Sequence, residues 1–172
     1  LYFTANGREK GEDPYYEHLY SVSLDGGAVT LLNKGDFNHE ININDPASYF
    51  VSNFSRVNTV PASVLHDRNG AKIMDLETAD LSQLLAAGYK FPEPFTFKAD
   101  DGITDLFGVM YKPFDFDSTR TYPLVQYVYP GPQTEAVNKS FGRGMDRTDR
   151  LAQFGFVVVT LGNRGGHPAR SK

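Results

Sequence analysis

The sequence predicts a mixed, β-rich fold in which antiparallel strands with the rhythm of propeller blades give way to the start of a parallel α/β sheet. Three observations carry that prediction. Short β-prone runs separated by turn residues fill residues 1–75. Gly88, Pro92 and Pro94 then interrupt the chain. Beyond them an apolar strand, a short helical stretch and a β-branched run follow one another, which is how a parallel sheet is laid down.

The first run, Leu1-Tyr2-Phe3-Thr4, stops at Asn6-Gly7. His18 to Leu24 alternates with period two and stops at Asp25-Gly26-Gly27, and Ala28 to Leu32 follows at once. An Asp-Gly-Gly between two such runs marks a hairpin, because its turn needs positive φ. Ile41-Asn42-Ile43, Tyr49 to Phe54, Ser63 to His66 and Lys72-Ile73-Met74 are further strand candidates, with Asn69-Gly70 a tight turn between the last two. Strand, turn, strand, polar loop, strand is the cadence of propeller blades, and fewer than two full blades are present.

Asp80 can cap a short helix over Leu81 to Ala87, with Leu81, Leu84 and Leu85 on one face and Gly88 as its stop. Phe95 to Tyr111, folded about Asp100-Asp101-Gly102, reads as a hairpin. Tyr122 to Tyr129 is a largely apolar strand ended by Pro130-Gly131-Pro132. Asp149 to Phe154 is a short helix ending at Gly155, and Phe156 to Leu161 is a continuous run of the kind buried on both faces. The expected organisation is propeller strands over 1–77, helix and linker over 78–94, and a sheet domain over 95–172.

Composition narrows the function classes. Of 172 residues 40% are hydrophobic, enough to fold rather than stay disordered. The net charge of −4 argues against a nucleic-acid binder, and the late arginines are interleaved with Asp146 and Asp149 as on a solvated helix face. With no Cys there are no disulfides or thiolate metal sites. No apolar run approaches the length of a membrane helix.

Several catalytic patterns fail on inspection. No Ser sits in a Gly-x-Ser-x-Gly elbow: Ser140 has Gly142 after it but Asn138 before it. His39-Glu40 opens like a zinc motif, but Ile43 stands where the second His belongs. Gly142-x-Gly144 lacks a third Gly. Asn53 and Asn138 begin glycosylation sequons of a kind common by chance. His18, His39 and His66 suit structural roles, and a turn explains Asp100-Asp101-Gly102 fully.

One run survives: Tyr127-Val128-Tyr129-Pro130-Gly131-Pro132, at the end of a core strand. Acyl transfer puts negative charge on the former carbonyl oxygen, and α/β-hydrolases draw one stabilising donor from the loop after such a strand. A phenol, with an ordinary pKa of about 10, is protonated at neutral pH and can donate there. A core aromatic followed by a plain turn accounts for the same residues.

Tyr122 to Pro132 followed by Phe156 to Gly165 resembles the prolyl oligopeptidase family of serine peptidases, nearest to its dipeptidyl peptidase IV branch, bacterial type. The hairpin from Phe95 to Pro113 is similar to that family's entry into its α/β-hydrolase domain, and Tyr15 to Tyr20 with Ser52 to Pro61 look like its last propeller blades. The resemblance implies the N-terminal part of an α/β-hydrolase sheet over 95–172, ending before the nucleophile. It implies removal of N-terminal dipeptides (X-Pro or X-Ala) through an acyl-enzyme, without metal or cofactor. Tyr129 aligns with the oxyanion-stabilising tyrosine. No other catalytic residue carries over, so the chain alone is expected to be inactive. Gly162 replaces an Asp frequent in relatives, which leaves Arg164 an ion-pair or loop-fixing role. The expected partners are peptides with penultimate Pro or Ala and no nucleic acid. The parent would be periplasmic or secreted and a homodimer, and the cut sheet edge favours self-association. Two other readings stay open: an acylaminoacyl peptidase or esterase of the same superfamily, and a non-catalytic propeller-type binding protein.

Overall fold

The computed structural model describes residues 1–129, 136–142 and 146–167. Its strands form three sheets. The first joins β1 (Tyr2–Asn6), β2 (Glu17–Ser21) and β3 (Thr30–Leu31), all antiparallel. Asp25-Gly26-Gly27 turns the chain between β2 and β3, with φ of 87° and 117° at the two glycines. Only Thr30 and Leu31 of the expected 28–32 run pair, because Leu24 to Ala28 splay into solvent.

The second sheet is a meander of β4 (Asn38–Ile43), β5 (Tyr49–Ser55), β6 (Ala62–Asp67) and β7 (Lys72–Thr78). Four antiparallel strands in sequence order form one propeller blade, and the first sheet supplies three strands of another. Gly70 makes the turn before β7, at φ 87°. The turn abuts Leu32 just past β3, so a Cβ on Gly70 would overlap the Leu32 carbonyl oxygen. The Gly70→Ala variant is therefore expected to lose about 2–3 kcal/mol, from left-handed strain plus the clash. A denaturant midpoint within error of the parent's would contradict this.

The third sheet has the order β10-β11-β9-β8. β8 (Glu93–Lys98) and β9 (Asp105–Tyr111) make the expected hairpin. β10 (Leu124–Tyr127) lies parallel to β11 (Val157–Leu161), and β11 is antiparallel to β9. Val158, Val159 and Thr160 are buried in succession, so β11 is covered on both faces. Gly108 of β9 lets Phe95 and the Thr160 backbone close in, since a Cβ there would stand 2.6 Å from the Phe95 ring.

The helices depart from expectation at their ends. α1 (Ser82–Ala86) is shorter than 81–87. Asp80 accepts from Ser82 N at 2.8 Å, but Leu81, not Asp80, stands at the capping position. None of the residues of α1 is fully buried: Leu81 and Leu84 are half-buried and Leu85 is 47% exposed, so the leucine face is only partly covered among the described residues. α2 (Arg147–Ala152) begins before Asp149, because extended Asp146 accepts the Arg147 N–H and caps it. At α2 both Asp146 and Asp149 qualify as caps by type, and backbone geometry selects Asp146.

Two apolar clusters hold the chain together. Leu19, Leu32 and Phe50, with Tyr2 and Ile41, join the first two sheets. Val57 reaches from the β5–β6 loop into a second cluster with Val109, Tyr111, Val137, Ala152 and Val158. A strap over 136–142 reinforces that junction. Lys139 pairs with Asp13 at 2.8 Å, with both side chains mostly covered, and its ammonium lies 4.3 Å from the Tyr15 ring centroid. Asn38 donates to Ser140 Oγ at 2.8 Å, and Phe141 N donates to Ser55 Oγ at 3.0 Å.

Candidate functional site

β10 is the third strand of its sheet in chain order and, unlike β11, runs along an edge. Pairing ends at Tyr127, opposite Thr160, so the strand is shorter than the expected 122–129. Tyr129 lies two residues past it and is 57% exposed. The purely structural alternative, a buried core aromatic, therefore does not describe it. Pro130-Gly131-Pro132, taken as the stop after this strand, lies outside the described residues, as do Gly144 and Arg170.

Tyr129 borders an open cleft of about 290 Å³, lined also by Tyr127, Asn138, Asp146, Arg147 and Thr148. Three elements assemble it: the end of β10, the strap and the first turn of α2. Asn138 donates to the Tyr111 hydroxyl at 3.4 Å. Arg147 donates from Nη2 to the Tyr127 hydroxyl at 3.2 Å, with its guanidinium 5.3 Å from that ring's centroid. Asp146 turns one carboxylate oxygen to the Arg147 N–H at 2.6 Å. Behind this wall, burial raises the Tyr111 phenol and the Asp149 carboxyl above their ordinary values. The chemistry offered at the cleft is hydrogen-bond donation from a phenol, an amide and a guanidinium.

The remaining candidates have structural roles. His39 and Glu40 are neighbours in β4, so they point to opposite faces, His39 buried and Glu40 exposed. His39 Nδ1 meets Ser52 Oγ at 2.8 Å, and its ring lies 5.0 Å from that of His18. His18 in turn meets Glu12 at 2.8 Å and the Asn33 carbonyl at 3.1 Å. Ser52 is 1% exposed, so no substrate reaches this group. His66 stacks on Phe50 and meets the Gly70 carbonyl. Asn53 lies in β5 and accepts from Ser63 at 2.6 Å.

Asp101 organises the β8–β9 turn, accepting from Ile103 N, Thr104 N and Thr104 Oγ1 at 2.6–2.9 Å. It also pairs with Arg164 at 2.9 Å, which gives Arg164 the loop-fixing role expected of it. Those hydrogen bonds, from Thr104 first, hold the Asp101 carboxyl well below the usual range, and Arg164 adds to the effect. Arg147 and Asn138 were not legible as site residues. No local motif marks them, and they meet Tyr129 only through the fold.

Residues 1–61 match the family described as the dipeptidyl peptidase IV N-terminal region. Over those residues, about a third of its length, the chain is similar to that family. Similarity to individual dipeptidyl peptidases extends well past residue 61. Human dipeptidyl peptidase 8 is 33% identical over 165 residues, covering 90% of this chain and 18% of that protein. Mouse dipeptidyl peptidase 8 is 31% identical over 163 residues, with the same coverage. A probable dipeptidyl-aminopeptidase B of Ajellomyces capsulatus (strain NAm1 / WU24) is 30% identical over 176 residues, covering 96% of this chain and 18% of that protein. The chain thus spans less than a fifth of the length of these relatives.

Proposed function

We propose that this chain is the propeller-to-peptidase junction of a serine-type dipeptidyl peptidase, which releases X-Pro or X-Ala from peptide N-termini through an acyl-enzyme. In this reading residues 1–77 end the propeller, 78–94 link, and 95–172 begin the peptidase domain. The observation that carries it is Tyr129, an exposed phenol beyond the third strand of the sheet, in a chain related to dipeptidyl peptidases. The phenol donates to the oxyanion of the tetrahedral intermediate, where charge develops and a fixed donor gains strength. The serine that attacks, and the groups that activate it, come from sequence outside 1–172.

The same reading includes a bacterial type, a periplasmic or secreted location and a homodimeric parent. Support for the bacterial type is the residue pattern of 122–132 and 156–165 alone; the relatives named above are human, mouse and fungal. β7 and β10 are edge strands, and Ile73, Met74, Leu76 and Leu124 on them are exposed, which supports self-association of the isolated chain. Strictly monomeric light scattering would count against that.

The deciding experiment is hydrolysis of a Gly-Pro chromogenic substrate by the whole protein and by this chain alone. Turnover by the whole protein and none by the chain is the expected result. Cleavage only of N-acylated substrates would replace the dipeptidase reading with an acylaminoacyl peptidase. No cleavage of either would favour a binding protein.

A further inference from the structure

Arg147 is held in place before any ligand arrives. Its backbone N–H is capped by Asp146, its guanidinium lies over the Tyr127 ring, and Nη2 donates to the Tyr127 hydroxyl. Guanidinium has five N–H donors, and stacking on an aromatic face reduces the freedom lost when they bind. Arg147 is exposed, lines the same cleft as Tyr129 and forms no ion pair among the described residues. Packing does not explain such a pose, since α2 is anchored by buried Thr148 and Ala152 instead.

The charges in the cleft select its occupant. Asp146 lies beside Arg147, so the local charge is balanced. A free carboxylate gains little against Asp146, and an ammonium gains little against Arg147. A neutral peptide backbone, alternating C=O and N–H, satisfies both: Arg147 donates to its carbonyls, while Asp146 and Asn138 accept from its N–H groups. An N-terminal dipeptide carries its ammonium within two residues of the scissile bond. The neutral stretch is therefore the segment on the other side of that bond.

We propose that Arg147, with Asp146 and Asn138, forms a subsite for the backbone of the leaving peptide, and that Arg147 sets the preference for peptide over small leaving groups. This rests on Tyr129 marking the reacting carbonyl. The test compares kcat/KM of the whole protein on a Gly-Pro chromogenic substrate, which has no leaving peptide, and on a Gly-Pro-Ala-Ala tetrapeptide. In the Arg147→Met variant the peptide-to-chromogenic ratio of kcat/KM is expected to fall about tenfold, mainly through KM, the size of one charge-assisted hydrogen bond. Tyr127→Phe, which releases the guanidinium, should lower the ratio by less. An unchanged ratio in Arg147→Met, whether both substrates are lost equally or neither is affected, overturns the subsite. The Tyr129→Phe variant separates the two claims: if it retains full activity on both substrates, the oxyanion reading fails, whatever the Arg147 ratio does.

Discussion

Tyr129→Phe in the whole protein is expected to lower kcat on a Gly-Pro substrate by about 10²–10³, the usual loss when one oxyanion donor is removed. The change deletes a hydroxyl and keeps the ring. Tyr129 is 57% exposed and belongs to neither core cluster among the described residues, so folding should be nearly unaffected. In the proposed role the donor acts on charge that exists only as the tetrahedral intermediate forms. It therefore stabilises the transition state and not the bound substrate, and kcat and kcat/KM should fall together with KM little changed. Steady-state kinetics with matched thermal melts would check it. Activity within twofold of the parent would remove Tyr129 from the site, and a fall in KM-dependent binding alone would make it a substrate contact.

Acid should destabilise the propeller part through His39. Its ring is 4% exposed, and Nε2 has no hydrogen-bond partner among the described residues. Burial, and then the neighbouring His18, lower its pKa from 6.5 to about 4, with His66 adding in the same sense. The Gly35 backbone pulls the other way without offsetting this. Glu12, against His18 at 2.8 Å, is the nearby carboxylate. The folded chain therefore refuses a proton that the unfolded chain accepts below pH 6.5. Stability from this group is complete above pH 6.5, falls as pH drops, and levels off near pH 4. The total loss is about 3 kcal/mol, since each pKa unit corresponds to about 1.4 kcal/mol. Denaturant midpoints at pH 7 and pH 4.5 for the parent and for His39→Gln measure it. A pH dependence as steep in the variant as in the parent would assign the acid sensitivity elsewhere.

The strands were legible where the residues themselves carry the signal. The runs at His18 to Leu24, Asp25-Gly26-Gly27 and Phe156 to Leu161 each report a local backbone preference: β11 and the glycine turn stand where expected, while β2 covers Glu17–Ser21 and ends three residues before Leu24. The hairpin of β8 and β9 was readable for the same reason, because Asp101 and Gly102 build its turn from within five residues. The leucines of α1 show the limit of such reading. Their spacing predicts a buried face, yet spacing does not supply a partner, and Leu81 and Leu84 are only half-buried while Leu85 is exposed.

What residue type and spacing determined by themselves is the order of strands, the turn positions and the candidacy of Tyr129. Tertiary structure decided the rest. It brought Lys139 to Asp13 across 126 positions, set Val57 into the sheet cluster, paired His39 with His18 inside the first two sheets, and laid Arg147 on Tyr127 beside Tyr129. The physical reason is that a turn or a strand is an equilibrium within a few residues. A cleft wall or a buried pair exists only once elements far apart in sequence have given up their entropy to pack.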